Sequence, residues 1–189
     1  MVNNHLREAG EIPPLFFVLH LPGLLLLFFC LNTAFYSAQN INSYYVSSRV
    51  DKGSIYFIRA QKGFKSKPGA NKLRYDMTYL LGKDSVTFNF SYFDKKPIVC
   101  DSLVLINGSK RLSSALSKIF IETKGKKWHY RYGAKFSFKD TQAFFNPEQE
   151  ALMLLICKNA VVELHCKKRL WKKHAGVNTR IFELINLNR

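Results

Sequence analysis

Three clusters of basic residues carry the chemistry that this sequence offers most plainly. Lys62, Lys65, Lys67, Lys72 and Arg74 fall in one stretch. Lys124, Lys126, Lys127 and Arg131 form a second, and Lys167, Lys168, Arg169, Lys172 and Lys173 a third, around Leu170 and Trp171. The expected anion-binding surface is all of these except Lys72 and Arg74. Clustered cations attract phosphate, whether of nucleic acid or of lipid head groups, and acidic glycans. Trp171 and neighbouring tyrosines would add base stacking or interfacial anchoring. Lysine outnumbers arginine here, whereas specific readers of nucleic acid lean on the bidentate guanidinium. No RNP, KH, zinc-finger or helix-turn-helix signature accompanies the clusters. The competing reading is a solvated lysine surface that blunts strand edges and turns.

Other chemistry is thinly represented, and no catalytic, cofactor or metal site is expected. There is no GxSxG elbow, and Ser113-Ser114 have no His or acid at a recognisable spacing. Glu122, Asp140, Glu148, Glu150 and Glu163 offer no evident pair for glycoside hydrolysis. CxxC, HxH, HExxH and Gly-rich phosphate loops are absent. His165 and Cys166 are adjacent in an expected strand and so point to opposite faces. His129 and His165 read as surface residues. Cys100, Cys157 and Cys166 are odd in number, which leaves at least one unpaired in a monomer. Buried thiols are the simplest reading, with a bridge from Cys100 to either of the others left open. A Cys157–Cys166 bridge is excluded, because one hairpin separates them beyond about 7 Å.

The clusters must be held by a folded chain, and composition bounds it. The 189 residues carry 29 Lys and Arg against 13 Asp and Glu, a net charge of +16. A hydrophobic fraction of 47% excludes a mainly disordered chain, and only 10 Gly and 6 Pro exclude collagen-like architecture. No charge occurs between Glu11 and Arg49, and Leu15 to Ala38 is mostly apolar, densest from Leu24 to Cys30. An apolar run followed by small residues has the form of a secretory leader, here cleaved after Ala38. The ending Tyr36-Ser37-Ala38-Gln39 resembles exported proteins of Bacteroidota over about ten residues. The alternatives are a retained anchor, since about 20 residues span a bilayer, and a buried core helix. As an anchor, its basic flank at Arg49 and Lys52 favours a cytoplasmic C-terminal domain. Phe29 disfavours a lipoprotein reading of Cys30. Without residues 1–38, which hold Arg7, Glu8 and Glu11, the remainder carries 28 Lys and Arg against 11 acids.

Downstream the hydrophobic period is mostly two. Gln39 to Asp51-Lys52-Gly53 reads as a linker or first edge element, and Ser54 to Gln61 as a strand. Lys62 to Lys72 reads as a mobile loop. Leu73–Leu81 and Val86–Phe93 alternate about turn chemistry at Gly82 to Ser85 and predict a hairpin. Val99–Ile106 ends at the turn signal Asn107-Gly108. Lys118–Thr123 and Lys127–Phe138 flank Lys124-Gly125-Lys126. A turn at Lys158-Asn159 would pair Cys157 with Ala160, Leu155 with Val162, Met153 with Leu164 and Ala151 with Cys166. Unbroken apolar character in Ala151–Cys157 predicts a central strand covered on both faces. Asp84-Ser85-Val86 and Asp101-Ser102-Leu103 resemble an O-glycosylation acceptor of some Bacteroidota; Asn89-Phe90-Ser91 and Asn107-Gly108-Ser109 match the N-glycosylation pattern. All four read first as turn and strand chemistry. Val177, Ile181, Leu184 and Ile185, with Asn178-Thr179 able to cap, predict one helix near 177–187; a start as early as Leu170 is the alternative, weakened by Gly176 by about 1 kcal/mol.

The expected fold is mainly β (α+β): one antiparallel domain over 54–189, a sandwich or strongly curved sheet, with a C-terminal amphipathic helix. The expected function is a non-enzymatic binding module of a bacterial cell envelope, exported to the periplasm, outer membrane or medium, or tethered by its N-terminal segment. Its expected partner is an anionic surface of lipid head groups or glycans, or another envelope protein, with nucleic acid disfavoured. Two alternatives are a membrane-anchored, cytoplasmic-facing binder of nucleic acid or anionic lipid, and an enzyme whose residues converge only in three dimensions.

Overall fold

In the computed structural model residues 41–67 and 71–189 are described; the expected leader or anchor at 1–38 lies outside them. Period-two patterning yields ten strands, all paired antiparallel: β1 Tyr45–Val50, β2 Gly53–Ser66, β3 Lys72–Leu80, β4 Ser85–Asp94, β5 Cys100–Asn107, β6 Lys110–Ala115, β7 Ser117–Lys124, β8 Lys127–Ser137, β9 Ala151–Cys157 and β10 Ala160–Cys166. Two helices join them, α1 Phe138–Phe144 and α2 Lys168–Leu187. A 3₁₀ turn, Ile41–Tyr44, leads into β1, so this stretch is an edge element.

The strand order is β6-β5-β9-β10-β2-β3-β4-β8-β7, with β1 also on β2. The sheet curls into a half-barrel, the curved form of the two expected. β6 and β7 run on in one direction, broken at Leu116; the first half pairs with β5 and the second with β8. The Lys135 N–H donates to Ser114 Oγ at 3.1 Å, which brings the two ends of the path together.

The predicted β3–β4 hairpin forms with Leu73, Tyr75, Met77 and Tyr79 buried opposite Val86, Phe88, Phe90 and Tyr92. The β9–β10 register holds for Cys157–Ala160, Leu155–Val162 and Met153–Leu164. Beyond it Cys166 pairs with Phe64 of β2 instead of Ala151. β9 buries one face only; Leu152, Leu154 and Ile156 on the other stay half-exposed.

The expected loop at 62–72 is strand through Ser66 and again from Lys72, because Phe64 and Leu73 are core residues that pair directly. A second helix, α1, follows β8: Ser137 caps it by accepting from the Asp140 N–H, which stops the strand. The C-terminal helix begins at Lys168, nearly half of its 20 residues before the expected start near Val177 and two residues before the early start at Leu170. Asn178 and Thr179 are therefore interior. Thr179 Oγ1 donates to the Phe145 carbonyl at 2.9 Å, and Asn178 is fully buried. Packing overrides the cost of Gly176, about 1 kcal/mol. No described helix is long and apolar enough to cross a membrane.

Helix α2 fills the concave face. Trp171, Ala175, Ile181, Phe182 and Ile185 are completely buried, each large one worth about 2 kcal/mol of burial. It enters through a gap along β2. β1 covers β2 only to Ile58 and β10 only from Phe64. The sheet is irregular between these points, and Gly63 is the extra residue between Lys62 and Phe64. Its φ is +153°, and a Cβ there would meet Leu170 Cδ2 at 2.7 Å and Cys166 Sγ at 3.2 Å. Cys100 and Cys157, directly opposite on β5 and β9, form a disulfide. That corrects the reading of all three cysteines as free thiols; Cys166 alone among them is unbridged.

Two outcomes test this packing. Gly63→Ala should cost about 2–3 kcal/mol in urea unfolding. Gly125→Ala, at a turn with φ +62° and no atom within 4 Å, should cost about 1 kcal/mol. Equal costs would contradict the close approach of α2. Cys157→Ser should cost about 2–4 kcal/mol, and alkylation of the unreduced wild type unfolded in urea should modify Cys166 but neither Cys100 nor Cys157.

Candidate anion-binding site

The entry point of α2 is also where two of the three basic clusters meet. Lys62 and Arg74 are directly opposite on β2 and β3, and so are Lys65 and Lys72. All four are exposed. Across the gap, Lys167, Arg169 and Lys173 rise from the first turns of α2. A depression of about 580 Å³ lies between, lined by Gly63, Lys65, Lys67, His165, Cys166 and Leu170 among others. Adjoining depressions share Leu170 and extend to Lys62, Lys72 and Arg74 on one side and to Arg169 and Lys173 on the other. The result is an apolar floor at Leu170 ringed by cations, with no carboxylate in the lining among the described residues.

Three local rules of stability are broken in this one place. Like charges opposite each other across strands are unfavourable by roughly 0.2–1 kcal/mol a pair. The first turn of α2 holds no acid, although the positive pole of a helix favours one. Its cap residue, Lys167, makes no side-chain capping bond. An anion in the depression would relieve all three, since exposed helix N–H groups and clustered cations both take negative charge.

Not every expected residue belongs to the ring. Arg131 donates to Asp76 at 2.6 Å and to Ser91 at 3.3 Å, so it is neutralised on the outer face. Lys172 is 3.5 Å from Glu148. Lys168 and the second cluster, Lys124, Lys126 and Lys127, do not line the depression. Lys72 and Arg74, outside the expected surface, do. Their signal lies in the facing positions of paired strands, which a loop at 62–72 does not have.

The polar groups beneath the ring are structural rather than reactive. Burial pushes the Cys166 thiol up to about 11, so it is protonated at neutral pH. Burial, then the charge of Lys173, lowers His174 to about 4, so its imidazole is neutral. Tyr75 is raised by burial above all, and its hydroxyl donates to Gln61 Oε1 at 3.0 Å. Gln61 Nε2 donates to Asn178 Oδ1 at 3.1 Å, and Asn178 Nδ2 donates to the His174 carbonyl at 2.9 Å. His174 Nδ1 is buried without a hydrogen-bond partner. His129, expected at the surface, is buried between Phe93 and Phe120, its Nδ1 2.9 Å from Glu122. His165 is half-exposed at the depression, 3.5 Å from Glu163. Among the described residues no cluster of three or more His, Cys, Asp or Glu is placed to hold a metal.

Comparison with protein-family models, curated proteins and solved structures finds no match for this chain.

His174 gives the site a pH signature. Its folded pKa lies below that of the unfolded chain, so its contribution is complete above about pH 6.5 and lost as pH falls toward about 4. The urea midpoint should drop over that window, and His174→Phe should flatten the drop. An unchanged slope in the variant would remove His174 as its source.

Proposed function

We propose that this chain is a non-enzymatic binding module that holds clustered phosphate, sulfate or carboxylate groups in the basin around Leu170, exported or tethered at a bacterial cell envelope. The observation that carries the reading is the convergence of two basic clusters on one carboxylate-free depression, at a cost in local stability. Residues that break local rules together are expected where a ligand completes the site. A protonated thiol and a buried neutral imidazole favour binding over nucleophilic chemistry. The Cys100–Cys157 bridge supports export, because cytosolic thiols are kept reduced. The predominance of lysine suits a partner recognised by charge density rather than by a fixed hydrogen-bond pattern.

Inositol hexakisphosphate, a compact polyanion, is the test probe. It should raise the melting temperature of the wild type, because it binds only the folded state. The combined variant Lys62→Gln, Arg74→Gln, Lys167→Gln should melt a few degrees higher than wild type without the probe and lose most of the probe-induced rise. A rise that persists in the variant, or no rise in the wild type, would refute the basin as the site.

A further inference from the structure

The second basic cluster has no place in the basin, yet the topology gives it one. Strands β2, β4, β7 and β9 all finish at the same end of the half-barrel, because antiparallel partners reverse there. In the described residues, the segments that join strands at this end hold Lys67, Lys95, Lys96, Lys126 and Lys158 and no acid. All five lysines are exposed. Asp94, the last residue of β4, is spent internally: it accepts from Asn71 Nδ2 at 2.8 Å and from the Tyr92 hydroxyl at 2.7 Å. At the other end the joining segments, the short helix α1 included, hold Asp51, Asp84, Asp140, Glu148 and Glu150 against Lys52, Lys83 and Lys139. The molecule is thus polarised along the strands.

The basic end also has an apolar tip. Pro97 and Val99 are exposed, Val99 at 56%. The tip is held in place from three sides. The Ile98 N–H donates to the Tyr130 hydroxyl at 2.8 Å. The Lys158 N–H donates to the Val99 carbonyl at 3.0 Å, and the disulfide joins the next residue, Cys100, to Cys157. A fixed apolar tip among spread lysines matches a planar partner that is charged at its surface and apolar beneath. A glycan or nucleic acid offers Val99 less apolar surface than the acyl layer beneath a lipid head-group plane.

We infer that this end of the half-barrel docks on an anionic lipid leaflet, lysines on the head groups and Val99 in the interface. The inference rests on the anion-binding reading and shares Lys67 with the basin, but Lys95, Lys96, Lys126 and Val99 lie outside the basin lining, so variants at these positions let the two fail separately.

The test uses the full chain, whose apolar N-terminal segment is common to every variant. Co-sedimentation is measured with phosphatidylglycerol–phosphatidylcholine vesicles and with phosphatidylcholine alone. Wild type should prefer the anionic vesicles, and the preference should weaken with salt. Lys95→Gln with Lys96→Gln and Lys126→Gln should lower that affinity by about fivefold per lysine. Its response to inositol hexakisphosphate should be unchanged. Val99→Asn should weaken vesicle binding without altering its salt dependence. The basin variant should keep vesicle binding while losing the response to the soluble probe. Equal binding to both vesicle types, or a lysine-end variant that binds like wild type, would overturn the inference. Loss of vesicle binding in the basin variant alone would overturn it too, and assign the lipid to the basin.

Discussion

The structure depends on one burial: a curled sheet has a concave apolar face that must be filled, and α2 fills it. Trp171, Phe182 and Ile185 have no exposed surface. The helix is fixed in depth and rotation by a buried polar pin, the paired amides of Gln61 and Asn178, 117 residues apart. An apolar contact tolerates sliding; a satisfied amide pair in a dry interior does not, since displacement would strand donors and acceptors at about 1–3 kcal/mol each. Gly63 follows from the same burial. The helix must enter past β2, and the strand yields only where a residue lacks a side chain.

From that entry the basin follows. The chain leaves β10 at Cys166 and turns inward at once, so the first turns of α2 stand beside the facing cations of β2 and β3. Their charges oppose folding locally while the core stabilises it globally. The burial of several large aromatics outweighs a few unfavourable pairs of tenths of a kcal/mol each, which is why the molecule can hold such a ring. Cys166 shows the same balance at one atom. Burial raises its pKa even though it stands at a depression lined by cations.

Much of this was legible in the strands. Alternation in Leu73–Leu81 and Val86–Phe93 fixed two buried faces, because a pleated strand sends neighbours to opposite sides. The facing of Cys157, Leu155 and Met153 with Ala160, Val162 and Leu164 followed from matching apolar rows about a two-residue turn. Errors arose where tertiary contact outweighed local preference. Glycines and lysines in 62–72 look like a loop until Phe64 and Leu73 have a core to enter. Asn178 looks like a cap until Gln61 supplies a partner. His129 looks solvated until Phe93 and Phe120 close over it.

By itself the sequence determined the class of fold, the basic character of its surface and the buried faces of its alternating hairpin β3–β4, because these depend on residue type and a spacing of two. Only the tertiary structure decided which cysteines pair, which cations converge and which turns share an end. Those are relations between residues far apart in the chain, set by strand order and by where one helix enters. Local pattern carries no information on either.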